Sequence, residues 1–430
     1  MMDTDGRKKL SNLLWFLGFA FLFGFYIFTT GLDLVKGNFC GNTAIDYCAY
    51  WSTGEIINVE GFAKIYDLKI LEEHQSAIYP RPFKNSDYIQ IIPFPYLSIF
   101  ALPFALLSKL SLKISYLVWL IINAAAFVLY MRFFINQTLG EKIPLPLMAI
   151  LLFSVPVFLN LSYGQLNIWL GIFAGEFVRN LVKKRPVFAG VWLAGLLLKP
   201  QTLILVLPFL LFTKEFRVLI GFAVNSAMLM TSSFLLGGVE GALGWIRILI
   251  GSSAGRSAAN PLVMMNWRML SMHINNFTNT SIGTYLFVLG VAATFALLYL
   301  VLRKLTLQTS TVIAMRYLVI FVATMLVTWH AHFSQGLVFY PLFIFFVINK
   351  AMSDREFKFW LIFPIIFMFL IFFLPVFTDI FNLQSVQVNF RKLLAGSRGL
   401  VLNIWLLIWA FRYVKSRLSG VGVAEDASTT

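Results

Sequence analysis

Charge is scarce in this sequence, and so are most residue types on which soluble catalysis draws. Of 430 residues only 12% are charged, four are histidine and two are cysteine. A soluble domain carries about 25% charged residues, so a soluble enzyme and a disordered chain are both excluded. Two cysteines are too few for a disulfide scaffold. No P-loop, GxGxxG turn or GxSxG elbow stands in a usable context, and no nucleotide-binding domain is present to power transport. Long polar–apolar alternation is missing, which argues against a barrel of tilted strands.

What is abundant is apolar: 59% of the chain is hydrophobic, and phenylalanine alone occurs 45 times. These residues gather in runs at 10–30, 91–108, 114–135, 144–160, 166–182, 186–198, 201–213, 216–237, 282–302, 311–329, 336–349, 359–378 and 398–411. The expected fold is an all-α polytopic membrane protein, one integral domain over residues 1–430. About 12 transmembrane helices are expected, one of the runs 91–108, 114–135 and 144–160 failing to cross. Several runs fall short of the roughly 20 residues a perpendicular helix needs. Short helices broken by Gly or Pro often meet in a polar cavity instead of in lipid. The first run follows Arg7, Lys8 and Lys9 without a clear cleavage pattern, and it reads as a retained helix.

The net charge, 34 − 19 = +15, would suggest nucleic acid in a soluble protein. Here the basic residues sit in short connections such as Lys183-Lys184-Arg185, Lys214 with Arg217, Arg303-Lys304 and Lys350–Lys358. They read as cytoplasmic, topology-setting charge, so no nucleic-acid partner is expected. Both termini then lie inside. Residues 31–90, with interfacial helices, and 238–281 become the two long outer loops; 421–430 is a polar tail. Cys40 and Cys48 share the first outer loop, where a disulfide is open to them without being required by their spacing.

Polar residues at the ends of the apolar runs fall on the outer side. Asp46, set among aromatics in Ile45-Asp46-Tyr47, is a candidate general base toward a hydroxyl, with a helix cap as the plainer alternative. Lys199, in Leu198-Lys199-Pro200-Gln201, costs roughly 2.5–3.5 kcal/mol at a helix centre unless it faces protein or water. Pro200 breaks the helix beside it, so Lys199 suits a cavity wall that binds phosphate, or it snorkels to the interface. Tyr163-Gly164-Gln165-Leu166-Asn167 makes a second break, in which Gln165 and Asn167 offer donors and acceptors. His330 and His332 follow Trp329. At i and i+2 on a helix they diverge, which favours hydrogen bonding to phosphate or sugar over a metal site. Asn266-Trp267-Arg268 sets a guanidinium suited to phosphate beside an indole suited to a sugar face. No metal and no cofactor are expected.

In their order along the chain these motifs resemble the polyprenyl-phosphate-sugar glycosyltransferases of the GT-C class, and within it glycosyltransferase family 87. The landmarks are Asp46-Tyr47, Ile65-Tyr66-Asp67, Pro93-Phe94-Pro95-Tyr96, Tyr163-Gly164-Gln165-Leu166-Asn167, Lys199-Pro200-Gln201, Met265-Asn266-Trp267-Arg268 and Trp329-His330-Ala331-His332. Two features depart from the family pattern: Ala331 separates histidines that are often adjacent, and Phe94 interrupts a frequent Pro-Pro pair. The resemblance implies a GT-C-type fold with broken helices around an outward-facing cavity. It implies a polyprenyl-phosphate-linked donor, with mannose as the expected sugar, and inverting transfer with Asp46 as base. Lys199, Arg268, His330 and His332 would hold the phosphate, and Tyr163, Gln165, Asn167, Gln201, Asn266 and Trp267 would shape the cavity. The acceptor would be a hydroxyl of a glycolipid, polysaccharide or protein at the outer face of the plasma membrane. A transporter or flippase of a polyprenyl-linked lipid is the chief rival, and arabinose or glucose transfer stays open.

Overall fold

A helix that is apolar on every side has no face to distinguish lipid from protein, so burial in this chain is decided by which helices end up central. The computed structural model describes residues 20–35, 39–79, 91–253, 261–305, 309–380 and 384–418. Among them every regular element is helical and no strand occurs. The expected first helix therefore begins outside the described residues, and the polar tail 421–430 lies wholly outside them.

The N-terminal part holds α1 (Ala20–Val35), then α2 (Phe39–Asn42), α3 (Ile45–Val59), α4 (Leu68–Ser76) and α5 (Leu102–Leu107). Next come α6 (Leu112–Leu139), α7 (Leu145–Leu152), α8 (Val155–Tyr163), α9 (Asn167–Val182), α10 (Pro186–Ala194) and α11 (Val206–Phe212). The remainder is α12 (Phe216–Ser253), α13 (Trp267–Thr278), α14 (Ile282–Leu302), α15 (Ser310–Val327), α16 (Tyr340–Ile348), α17 (Asp354–Ile380) and α18 (Gln384–Leu418).

Six of these helices are long and apolar enough to cross a membrane: α6, α12, α14, α15, α17 and α18. A seventh arises if α7 and α8, bent by 54° at Phe153-Ser154, act as one span. The chain is an integral membrane protein. The expected count of about 12 is not reached by length and composition, because many apolar runs fold as short pieces. Residues 91–108 show why: an extended stretch leads into an apolar helical segment at Ser98–Leu107. At about 1.5 Å per residue that segment is far shorter than a bilayer core. Two segments that read as loops are partly helical. α12 runs through Gly238, where the backbone leaves helical geometry (φ 61°, ψ −163°), and on to Ser253. α18 begins at Gln384, well before the expected 398. Polar composition suggested loops in both places, yet neither stretch contains a proline.

α15 forms the centre. In its most apolar stretch 78% of residues are buried, against 22% for α12, α14 and α17. α9, α14, α16 and α18 pack around it, and α3 is lodged beside α5, α6 and α8. α3 buries Tyr47, Tyr50 and Ile56, among others. Cys40 and Cys48 form a disulfide, Cα–Cα 5.8 Å, tying α2 to the first turn of α3.

Three basic connections share one geometry. After α9, α11 and α16 the chain turns on Lys184, Lys214 and Lys350, with φ of 54°, 57° and 57°. In each, the next N–H reaches back to the helix: Arg185 to Asn180, Glu215 to Leu210, Ala351 to Phe346. This is the paired-bond helix ending that usually places Gly in the left-handed position. Here lysine occupies it, retaining a cation beside the negative end of the helix dipole.

Candidate functional site

Several helix ends and breaks converge on one cavity of about 730 Å³. Its walls come from the start of α3, the extended segment before α5, the α8–α9 turn, the break at Lys199, the loop after α15, and α18. Asp46, Tyr163, Gln165, Lys199, Gln201, His330 and His332 line it together with Tyr50, Tyr96, Ser334 and Arg398.

Asp46 stands in the first turn of α3 and does not cap it; the capping position is Ala44, which makes no side-chain cap bond. The turn is held from behind, where Tyr79 donates to the carbonyl of Ile45 (2.7 Å). The facing turn depends on Gly164, which ends α8 at φ 71°. A Cβ there would fall 2.5 Å from that of Tyr47, Asp46's neighbour. Only glycine meets both demands, the left-handed backbone and the close approach. The indole of Trp119 secures the same turn by donating to the Gly164 carbonyl (2.9 Å).

From that turn Gln165 donates its amide N–H to Asp46 Oδ2 (2.6 Å). Gln165 Oε1 accepts from Asn167 Nδ2 (2.7 Å), and Asn167 Oδ1 accepts from Lys199 Nζ (2.8 Å). A carboxylate can only accept and an ammonium can only donate, so both intervening amides are fixed in one orientation. The result is an unbroken hydrogen-bonded chain from cation to anion, each bond polarising the next. Ser334 adds to it, donating to Gln165 Oε1 and accepting from Asn167 (3.1 Å). Asn167 is fully buried behind the wall, anchored through its backbone N–H to Asn160 Oδ1 (2.9 Å). Burial raises the pKa of the Asp46 carboxyl, opposed by the Gln165 hydrogen bond and the charge of Lys199.

Lys199 has non-helical backbone (φ −139°, ψ 84°) between two 3₁₀ turns, Gly195–Leu198 and Pro200–Leu203. Pro200, without an N–H, opens the second. The side chain is 7% exposed and points inward to Asn167, so it does not snorkel.

Residues 328–332 are not helical, so the helix geometry assumed for His330 and His332 does not hold. In extended backbone i and i+2 share a side, and the two rings meet edge to face at 4.8 Å. Burial and then the nearby Lys199 charge push His332 down to about 4. Burial, assisted by His332, Lys199 and Arg268, also lowers His330. These lowered values favour the neutral imidazole over the imidazolium in both. Among the described residues no group of three His, Cys, Asp or Glu side chains is placed to hold a metal ion.

The remaining candidates stand back. Asn266 caps α13, accepting from the Met269 N–H (3.0 Å) and donating to the Thr328 carbonyl (2.7 Å). The Trp267 indole donates to Thr294 Oγ1 on α14 (2.9 Å). Neither lines the cavity. Arg268 is also absent from the lining; among the described residues its side chain reaches the carbonyl of Trp329 (3.5 Å). Asp67 caps α4, accepting from the Lys69 N–H (2.9 Å). Pro93, Pro95 and Tyr96 do form a wall, their segment held by Gln75, which exchanges two hydrogen bonds with the Ile92 backbone. Sequence reasoning missed Tyr50, Ser334 and Arg398. Arg398 had a signal, a lone guanidinium between Gly396 and Gly399 at the edge of an apolar run.

A membrane-embedded helical protein with a carboxylate, an ammonium and several amides facing one cavity has the parts of a membrane transferase. The family model of glycosyltransferase family 87 matches residues 94–328, and the chain belongs to that family. It is a membrane glycosyltransferase, moving a sugar from a donor to an acceptor. The matched stretch contains Gln165, Lys199 and Arg268; His330 and His332 lie just past its end, and Asp46 lies well before its start. No curated protein and no solved structure matches the chain.

Proposed function

We propose that the protein transfers a hexose, mannose in the first instance, from a polyprenyl-phosphate donor to a hydroxyl acceptor at the outer face of the plasma membrane. The acceptor is a hydroxyl of a glycolipid, polysaccharide or protein. The observation that carries this reading is the Asp46–Gln165–Asn167–Lys199 chain opening on one cavity. It sets a base and a cation at fixed places in a shared space, as transfer from a phosphate-linked sugar requires.

Asp46 takes the proton of the acceptor hydroxyl as that oxygen bonds to the anomeric carbon. On the opposite side the bond from that carbon to the phosphate oxygen breaks, and the polyprenyl phosphate departs with the electron pair. One displacement inverts the configuration. The leaving phosphate is already anionic, so a second carboxylate acting as acid, as hydrolases use, is unnecessary. Lys199 stabilises the phosphate charge, His330 and His332 offer neutral hydrogen bonds, and Tyr163, Gln165 and Gln201 shape the sugar pocket.

The same reading orients the molecule. With the basic connections and both termini inside, the cavity opens outward. The shorter apolar helices other than Ser98–Leu107, added to the long ones and the bent pair, would bring the count close to the expected 12 crossings. The test is transfer of radiolabelled mannose from polyprenyl-phosphate-mannose to endogenous lipid in membranes carrying wild type or Asp46→Asn. Wild type is expected to transfer, and the folded variant to lose about 10²–10⁴-fold. Equal transfer by both removes Asp46 from the mechanism.

A further inference from the structure

Arg398 has no role in the scheme above, and its position is costly to maintain. It sits within α18, 8% exposed, on the wall of the cavity that holds Asp46 and Lys199. Its Nε is buried without a hydrogen-bond partner, and no carboxylate among the described residues pairs with it. A buried unpaired cation is strongly unfavourable unless a ligand or water completes it. Beside it stands Phe333, whose ring lies 4.7 Å from the guanidinium carbon. A guanidinium over a ring keeps its N–H donors, which lie in its own plane, for other partners.

The backbone around it is arranged for this approach. A Cβ on Gly396 would come 2.5 Å from the Met264 carbonyl oxygen, and one on Gly399 would come 2.4 Å from Met265 Cβ. Small residues on either side of Arg398 thus let α18 press against the loop before α13. α18 also packs against the 3₁₀ turn Phe333–Phe339 that carries Phe333.

We propose that Arg398 is the guanidinium that binds the lipid phosphate of the donor, opposite in kind to the point charge of Lys199, and that Arg268 is not. An unpaired fork of donors in a cavity with an ammonium suits a tetrahedral oxyanion, which accepts two parallel N–H bonds. This inference rests on the polyprenyl-phosphate reading and deepens it.

The test uses purified full-length protein and a radiolabelled polyprenyl monophosphate, displaced by unlabelled monophosphate or by neutral polyprenol of the same length. Wild type is expected to prefer the phosphate. Arg398→Gln should weaken monophosphate binding about tenfold or more with polyprenol binding unchanged, while Arg268→Gln stays within about threefold of wild type. Arg398→Lys keeps the charge without the fork and serves if Arg398→Gln does not fold. Its binding should fall to an intermediate value at an unchanged thermal midpoint. Wild-type preference in either folded Arg398 variant, or a larger loss in Arg268→Gln, overturns the assignment and leaves the donor reading intact. No preference for phosphate in wild type overturns the donor reading and Arg398 with it.

Discussion

At the scale of single residues, the site is defined by which groups may donate and which may accept. Asp46 works as a base only when ionised, and burial raises its pKa. The sign follows: as pH falls through that raised pKa the carboxylate is protonated and transfer is lost. The acid limb of the rate profile should therefore lie above the ordinary carboxylate range. Replacing Gln165 by Leu removes the hydrogen bond that favours the ionised form, so the limb should move further up. A profile of transfer against pH for wild type and Gln165→Leu checks both, and a limb that moves down overturns the account. Asp46 and Lys199 were readable because charge in apolar surroundings demands a reason. Arg398, at the very start of an apolar run, carried a similar signal, but only the extension of α18 back through it placed it on the cavity wall.

At the scale of elements, turns determine what the helices deliver. Gly164→Ala imposes a left-handed backbone costing about 1–2 kcal/mol on an L-residue, and its Cβ collides with Tyr47. A lower thermal midpoint and reduced transfer are expected together, because Tyr47 adjoins Asp46; unchanged values for both would break the proposed coupling. The lysine turns make a different case. Lys350→Val places a β-branched side chain, which tolerates left-handed backbone less well than Lys, in that turn and should lower stability relative to wild type. Lys350→Gly relieves that strain but loses a helix-end cation, and should stay within about 1 kcal/mol of wild type. Thermal unfolding of the pair separates backbone strain from charge. Proline and glycine announced the breaks at Lys199 and Gly164, whereas nothing in the local sequence marked the lysine turns, since Lys is not a residue that ordinarily signals positive φ.

At the scale of the whole molecule, the arrangement is a buried α15 surrounded by helices, with a polar cavity roofed by connections. Lys183–Arg185, Arg303-Lys304 and Lys350–Lys358 are expected on one side of the membrane, and the cavity on the other. Single cysteines introduced at Lys184 and Lys304 should react with an impermeant thiol reagent only from the inside. Cysteines at Gln201 and His332 should react only from the outside, in a background where Cys40 and Cys48 remain bonded. Reaction of both sets from one side would reject the orientation. No step of the transfer requires the chain to open alternately to two sides, which separates it from the flippase rival.

Composition and charge placement sufficed for the class of molecule, because the bilayer admits few solutions and apolar runs with basic connections describe one of them. The ordered motifs sufficed for the family, and the breaks at Gly164 and Lys199-Pro200 for where polar chemistry would gather. The tertiary structure alone decided what those residues touch. Gln165 and Asn167 are 119 and 32 residues from their respective partners Asp46 and Lys199, and no periodicity records such pairings. It also turned Asn266 and Asp67 into helix caps, took Trp267 out of the cavity and brought Arg398 in. The reason is that motif residues and structural residues are chemically alike; which of them faces the cavity depends on helix ends and close crossings set by the packing of the entire chain.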